Sequence, residues 1–266
     1  SAPHTYKRRK PGEDGGMRQY LASAALHGRF FIDEDDDLRY DATNIRYSSP
    51  TLSPADLEDA VHLVYREFGQ TVTHGTGLWY MDLTGGDFRN PALVDAIGRM
   101  CKWGEVALRH SRAHKSEVAV VSNPQSEFYM GPRSTPANNV NLVAYTQQMG
   151  AFYSAGTPFD WYLAEDLDAV EKGDYKVVVL LDCQFMTPVQ LEALRKGGRT
   201  LLFFHAPAYV AEEGLSLART EELTGFKMAI ASGETPLKAV DKASGVTLGS
   251  DLTQRALFVP KTRETD

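Results

Sequence analysis

The sequence predicts an α/β protein built on parallel β-sheet, and two observations indicate this fold class. Several short segments are apolar throughout and rich in Val and Leu, as strands buried on both faces of a parallel sheet are. Segments with the 3.6-residue periodicity of helices alternate with them and carry helix start and stop residues. Capped helices that alternate with apolar strands are typical of a sheet covered by helices on both faces.

The second half of the chain shows this alternation most clearly. Apolar strands are predicted at 118–121, 175–183 and 199–207, and a turn with a short strand within 157–167. Helices are predicted at 139–155, from Thr187 as N-cap to Gly197 as stop, and at 217–224. This order predicts a flavodoxin-like three-layer domain from residue 116, with its layered part ending near 232 and its boundary near 240. Residues 241–266 are expected to be a tail or the start of a further β segment.

The first half also reads as strand, helix, strand, helix. A short buried strand is predicted around Gly28–Ile32, and a helix from Ser53 as N-cap to Gly69 as stop. A second strand is predicted at Leu78–Leu83, and a second helix starts at Asn90. The predicted apolar faces of the two helices are Leu57, Ala60, Val61, Val64, Tyr65 and Phe68, and Leu93, Val94, Ile97, Met100, Cys101, Gly104 and Leu108.

Length and composition exclude several classes of function. The 266 residues suffice for two modules, and a net charge of -7 disfavours a nucleic-acid partner, which needs clustered Lys and Arg. No apolar run approaches the ~20 residues that cross a bilayer, so no membrane partner is expected. The two cysteines, Cys101 and Cys183, exclude a disulfide scaffold and a Cys-based zinc module.

A run of acids, Asp33 to Asp37, follows the first predicted strand and has three interpretations. A solvated loop is the commonest fate of such a run. A hard cation could bind carboxylates, although the glycine hinge and distal Glu of a calcium loop are missing. In the third interpretation Glu34 is a catalytic carboxylate at the carboxyl end of a strand.

Aromatic and histidine residues give weaker signals. Trp79 is either a core residue or a platform for the apolar face of a sugar, with Asp82 as an acceptor for a hydroxyl. His27 and His74 are more often structural, and no HxH or HExxH spacing occurs, so no metal site and no cofactor are expected.

Cys183 stands between a strand and a helix, the position of the nucleophile in elbow enzymes. Such elbows need flanking glycines, yet Asp182 and Gln184 occupy those positions. His205 ends another strand without a Ser or Cys nucleophile in view. A buried structural thiol is therefore the favoured interpretation of Cys183, and an amidotransferase-like hydrolase the disfavoured one.

Several phrases together resemble one family. They are "SAPHTYKRRKPG", "LHGRFFID", "THGTGLWYMDLTGGDFRNPALVDAI", "SEVAVVSNPQS", "GTPFDWYLAEDL" and "YKVVVLLD". Over roughly residues 1–230 the chain resembles glycoside hydrolases similar to the β-galactosidases that carry a trimerisation domain. The matching parts are the C-terminal portion of a (β/α)8 barrel, residues 1–115, and the flavodoxin-like middle domain, 116–240.

The resemblance implies a retaining mechanism that uses a pair of carboxylates. Glu34 matches the family nucleophile at the end of barrel strand seven, with Asp33 or Asp35 as fallbacks if the register differs. The resemblance also implies that Trp79, Asp82, His27 and Arg39 bind substrate. A carbohydrate partner, such as a β-galactoside, and a homo-oligomer, with a trimer as one form, are implied in the same way.

One departure from the family limits this expectation. The acid/base Glu belongs near the end of strand four, and nothing before residue 27 supplies it. We therefore expect a fragment of a β-galactosidase-like glycoside hydrolase that is inactive by itself. The alternative is a non-catalytic oligomerisation or carbohydrate-binding module.

Overall fold

The computed structural model describes residues 2–3, 8–17, 19–36, 56–82, 88–110, 116–129 and 148–260. Within them the chain is a mixed α/β protein whose larger sheets are parallel, as predicted. It divides into two compact units. The first comprises Ser1–Lys115 with Met149–Thr157, and the second Ser116–Gln148 with Pro158–Asp266.

The first unit contains a three-stranded parallel sheet in the order β1-β2-β3. Its strands are β1 (Ala2–Pro3), β2 (Ile32–Asp35) and β3 (Gly77–Tyr80). Its helices are α1 (Leu21–Leu26), α2 (Leu57–His74), α3 (Pro91–Ala107) and α4 (Gln148–Ser154). Since the described part of α4 covers only the end of the helix predicted at 139–155, the rest of that prediction lies outside the described residues.

The strand predicted at Gly28–Ile32 is wrong by several residues, because the structure places β2 at Ile32–Asp35. Gly28 has the left-handed φ of 63° and ends α1 instead. The amides of Gly28 and Arg29 donate to the carbonyls of Ala25 and Ala24, at 3.0 and 2.7 Å. The acids consequently lie inside the strand.

Helix α2 begins and ends later than predicted. Asp56 is its N-cap and accepts from the amide of Asp59 at 2.9 Å, whereas Ser53 lies outside the described residues. Gly69 does not stop the helix, since an interior glycine costs only about 1 kcal/mol relative to alanine. The helix ends at Gly75, which adopts a left-handed φ of 69°. The predicted apolar face is confirmed, because all its residues form or pack against one core cluster.

Helix α3 begins as predicted. Asn90 accepts from the amide of Ala92 at 3.0 Å, and Pro91 occupies the first turn. Only part of its predicted apolar face is correct: Leu93 and Met100 are buried, with Ile97 packed against them. The remaining large members of that face, Val94, Cys101 and Leu108, are exposed.

The second unit contains a four-stranded sheet in the order β5-β4-β6-β7, and every pair in it is parallel. Its strands are β4 (Val118–Ser122), β5 (Phe159–Leu163), β6 (Val177–Leu180) and β7 (Thr200–Phe203). All four strands were predicted, β4, β6 and β7 from apolar runs and β5 as a short strand within 157–167. The predicted burial of the last strand is wrong, because Thr200 and Leu202 of β7 are exposed. The connecting helices are α5 (Leu167–Lys172) and α6 (Pro188–Arg195).

Helix α6 confirms its predicted cap. Thr187 accepts from the amide of Gln190 at 3.3 Å, and the Gln190 side chain accepts from the amide of Thr187 at 2.8 Å. The helix packs Leu191 and Leu194 into a core with Val178 and Leu180 of β6. This core holds the helices on the sheet.

The chain after β7 is mostly β structure. A short hairpin joins β8 (Val210–Ala211) to β9 (Gly214–Leu215), and the predicted helix follows as α7 (Leu217–Thr224). Strand β10 (Met228–Val240) then pairs antiparallel with β11 (Thr247–Pro260), so the segment expected to be a tail or further β segment is largely strand. No helix in the described ranges is long and apolar enough to cross a membrane.

Candidate active site

The centre of the candidate site is Glu34, in the middle strand of the first sheet. Glu34 is in register with Trp79 on β3 and with Pro3 on β1. Residues in register on adjacent strands project their side chains to the same face of the sheet. The structure therefore brings the predicted nucleophile and the predicted sugar platform together as neighbours.

The opposite face of this sheet carries the helices. Tyr80, which follows Trp79, packs against the core between α2 and α3, and its hydroxyl lies 3.8 Å from the sulfur of Met100. Because successive side chains of a strand alternate, Trp79 points away from those helices. Glu34 therefore faces away from them too, on a face where Trp79 is 40% exposed.

The burial of the acids follows the same alternation. Asp33 and Asp35 are fully buried, whereas Glu34 between them is partly exposed. A solvated loop is therefore the wrong interpretation for residues 33–35, and Asp37 lies outside the described residues. Of the acids in β2, Glu34 is the one that a substrate can reach.

Two other predicted site residues, Asp82 and His27, lie outside the strands. Asp82 is exposed and follows the end of β3, and His27 is exposed at the end of α1. Arg39 lies outside the described residues. Among the predicted substrate-binding residues that the structure describes, Trp79 alone is placed beside Glu34 by strand register.

The described histidines and acids do not form a metal site. Within the described ranges, no group of three or more His, Cys, Asp or Glu side chains could hold a metal ion. The ring of His74 contacts the edge of the Tyr153 ring, with centroids 6.2 Å apart.

In the second unit, Cys183 has the properties of a structural thiol. Its side chain is 1% exposed, and Sγ lies 3.6 Å from the carbonyl oxygen of Val121. Burial, followed by the negative charge of Asp182, raises the pKa of the Cys183 thiol well above its ordinary value. Because the thiolate is the nucleophile, this environment opposes the amidotransferase-like mechanism.

A buried polar network, which the sequence did not predict, lies at the carboxyl ends of β4 and β6. The carboxylate of Asp182 accepts from the amide of Asn123 at 2.9 Å. Asn123 Nδ2 donates to the carbonyl of Phe185 at 2.7 Å, and Ser126 Oγ accepts from the Phe185 amide at 3.1 Å. The only sequence signal was an acid at the end of an apolar run.

Asp182 should make the stability of the second unit depend on pH. Burial raises its pKa from 3.8 to about 6, against the opposing hydrogen bonds from Asn123 and Ser122. The folded protein thus holds this proton more tightly than the unfolded chain. The free energy of unfolding therefore falls as the pH rises from about 4 to about 6. Above that range the total loss is about 3 kcal/mol.

Asp182→Asn should remove this loss, because an amide oxygen still accepts from Asn123 without a charge. Relative to the wild type, the variant should gain a few kcal/mol in free energy of unfolding at pH 7.5 and almost nothing at pH 4. Urea unfolding, followed by the fluorescence of Trp161, measures this difference. As a control, Asp168→Asn removes an exposed charge paired with Lys172 and should change stability by less than about 1 kcal/mol. An equal gain at both pH values would contradict the prediction.

We compared the chain with protein-family models and with curated protein sequences. No protein-family model matches the chain, and a search of curated proteins finds no similar sequence. Its functional assignment therefore depends on the site residues and their geometry.

Proposed function

We propose that this chain is part of a retaining glycoside hydrolase of the β-galactosidase-like kind, with Glu34 as nucleophile. The observation that carries the proposal is the register of Glu34 and Trp79 on adjacent parallel strands, both facing away from the helices. An aromatic ring beside a carboxylate can stack on the apolar face of a pyranose while the carboxylate reaches its anomeric carbon.

The proposed chemistry has two displacements. A carboxylate oxygen of Glu34 attacks the anomeric carbon, the bond to the leaving oxygen breaks, and a second carboxylic acid protonates that oxygen. Water then attacks the glycosyl ester and gives its proton to the second carboxylate, which releases Glu34. The second carboxylate is expected on barrel strands other than those in this chain.

The arrangement of both sheets supports the proposed architecture. In the first unit, parallel β2 and β3 are neighbours joined by α2, and α3 follows β3, which is the repeating pattern of a (β/α)8 barrel. In the second unit, numbering the strands in chain order makes the sheet order 2-1-3-4, with which the flavodoxin-like order begins. The proposal includes a carbohydrate substrate and a homo-oligomer, for which a trimer is the first form to test.

A second candidate is a non-catalytic oligomerisation or carbohydrate-binding module. The burial of Asp33 and Asp35 favours it, because the carboxylates nearest to Glu34 in sequence cannot serve as its catalytic partner. Such a module would bind sugar at Trp79 without forming a bond to it.

Covalent trapping distinguishes the two candidates. A 2-deoxy-2-fluoro galactoside with a good leaving group should accumulate as an ester on Glu34, because fluorine slows both displacements and the good leaving group speeds only the first. The test uses the protein that joins this chain to the remaining barrel strands, with peptide mass spectrometry as the measurement. An adduct on the peptide that contains Glu34, lost in Glu34→Gln, supports the nucleophile. Sugar binding without any adduct would favour the binding module.

A further inference from the structure

Strand β2 is held near Glu34 by a buried ion pair. Arg9 Nη2 donates to Asp36 Oδ1 at 2.5 Å, and the side chains are only 10% and 8% exposed. Asp36 lies two residues beyond Glu34, directly after the end of β2. A buried guanidinium–carboxylate bond is strong and directional, so it restrains the carboxyl end of the strand.

The loop that carries Arg9 is itself anchored to α2. Arg66 Nη1 lies within hydrogen-bond distance of the backbone oxygens of Arg9, Lys10 and Glu13, at 3.2, 3.2 and 3.3 Å. Its Nε donates to the fully buried Glu67 at 2.6 Å. Gln70, one turn further along α2, donates to the carbonyl of Asp14. The loop is therefore fixed at several points, and Arg9 extends from a rigid base.

We propose that Arg9 is a positioning residue for Glu34, acting through Asp36 and resting on the proposed role of Glu34 as nucleophile. On the β3 side, the amide of Met81 donates to the carbonyl of Asp35 at 2.9 Å. The Met81 amide thus restrains the backbone at Asp35, and Arg9 restrains the next residue through the Asp36 carboxylate. A nucleophile displaced by about 1 Å can lose about 100-fold in rate, so restraint at this point matters for the reaction.

Arg8 provides a matched control in the same loop. It pairs with Asp14 at 3.0 Å, with side-chain exposures of 29% and 15%, and Asp14 also accepts from Ser154 of α4 at 3.1 Å, so this pair faces α4 and not β2. Arg8→Gln and Arg9→Gln therefore remove the same charge, and they break the pair with Asp14 and the pair with Asp36, respectively. Only Arg9→Gln breaks the connection to β2.

Amide hydrogen exchange in this chain tests the restraint without any assay of activity. Arg9→Gln should speed exchange of the Met81 amide by about tenfold or more, because local opening of the strand end becomes easier. Arg8→Gln should change it by less than about twofold. Equal rates in the two variants would overturn the inference. If Arg9→Gln does not fold, Asp36→Asn removes the same ion pair from the other side.

Kinetics in the protein that joins this chain to the remaining barrel strands tests the consequence for the reaction. Arg9→Gln should lower kcat for an aryl galactoside about 10- to 100-fold and leave KM within about twofold, whereas Arg8→Gln leaves both unchanged. Arg9→Lys, which keeps the charge, should recover part of kcat. Asp36→Asn added to Arg9→Gln should cost little more, since both act through one contact.

The outcomes separate this inference from the proposed function. Unchanged kcat in Arg9→Gln, with Glu34→Ala inactive, defeats the positioning role alone. Full activity of Glu34→Ala defeats the proposed function and with it the catalytic meaning of the Arg9–Asp36 pair.

Discussion

Replacing Glu34 by alanine should abolish hydrolysis of an aryl galactoside by the longer glycosidase of which we propose this chain is a part. Removal of a catalytic nucleophile typically lowers kcat by about 10⁴-fold or more. The partly exposed Glu34 side chain lies beside Trp79, so the truncation leaves a space where the proposed mechanism places the anomeric carbon, and it keeps the Trp79 ring. Turnover measured with and without azide checks this, because azide can enter the space and attack in place of the carboxylate.

Azide should restore part of the activity of Glu34→Ala and yield a glycosyl azide with the opposite anomeric configuration to the normal product. Glu58→Ala is the control, since Glu58 is an exposed acid in the first turn of α2. It should retain wild-type turnover. Normal activity in Glu34→Ala would remove Glu34 from the mechanism.

Replacing Leu180 by alanine should cause a large loss of stability in the second unit. Leu180 is 1% exposed at the end of β6, between Val121 of β4 and Phe203 of β7 in register. The change removes buried apolar volume and leaves a cavity in a core that cannot fully close, at a cost of about 2–5 kcal/mol. Urea unfolding measured through Trp161, the tryptophan of the second unit, reports this cost.

Leu202→Ala is the matched control for that measurement. Leu202 lies on the adjacent strand β7 in register with Val179, but it is 51% exposed. The same truncation at this position should cost less than about 1 kcal/mol. Similar losses in the two variants would mean that the exposed face of the sheet is covered in solution.

Local chemistry made many elements of the fold predictable. Asn90 with Pro91, and Thr187 with Gln190, cap their helices through hydrogen bonds that span no more than three residues. The apolar runs of β4 and β6 predicted strands inside a parallel sheet, because strands covered on both faces need apolar side chains throughout. The equally apolar run of β7 lies at the edge of the sheet and leaves Leu202 exposed. These signals lie within a few residues of the elements that they determine.

Competition between local signals explains the errors. Gly28 was consistent with an approach to a strand, yet its left-handed φ was used to end α1, which moved β2 toward the acids. Gly69 was consistent with a helix stop, but α2 continues through it to His74 and ends at Gly75, which has the left-handed φ. In both cases the helix ends at the glycine that adopts a left-handed φ, and the sequence alone does not show which glycine does so.

The sequence by itself determined the α/β class, the caps and the chemical type of the candidate nucleophile, since these depend on residue type and short-range spacing. Only the tertiary structure decided that Glu34 lies beside Trp79, that Asp33 and Asp35 are buried, and that Arg9 pairs with Asp36. Strand register and ion pairing join segments far apart in the chain. A buried carboxylate such as that of Asp36 is stabilised by an opposite charge, and Arg9 supplies it from 27 residues away, a distance that no local pattern spans.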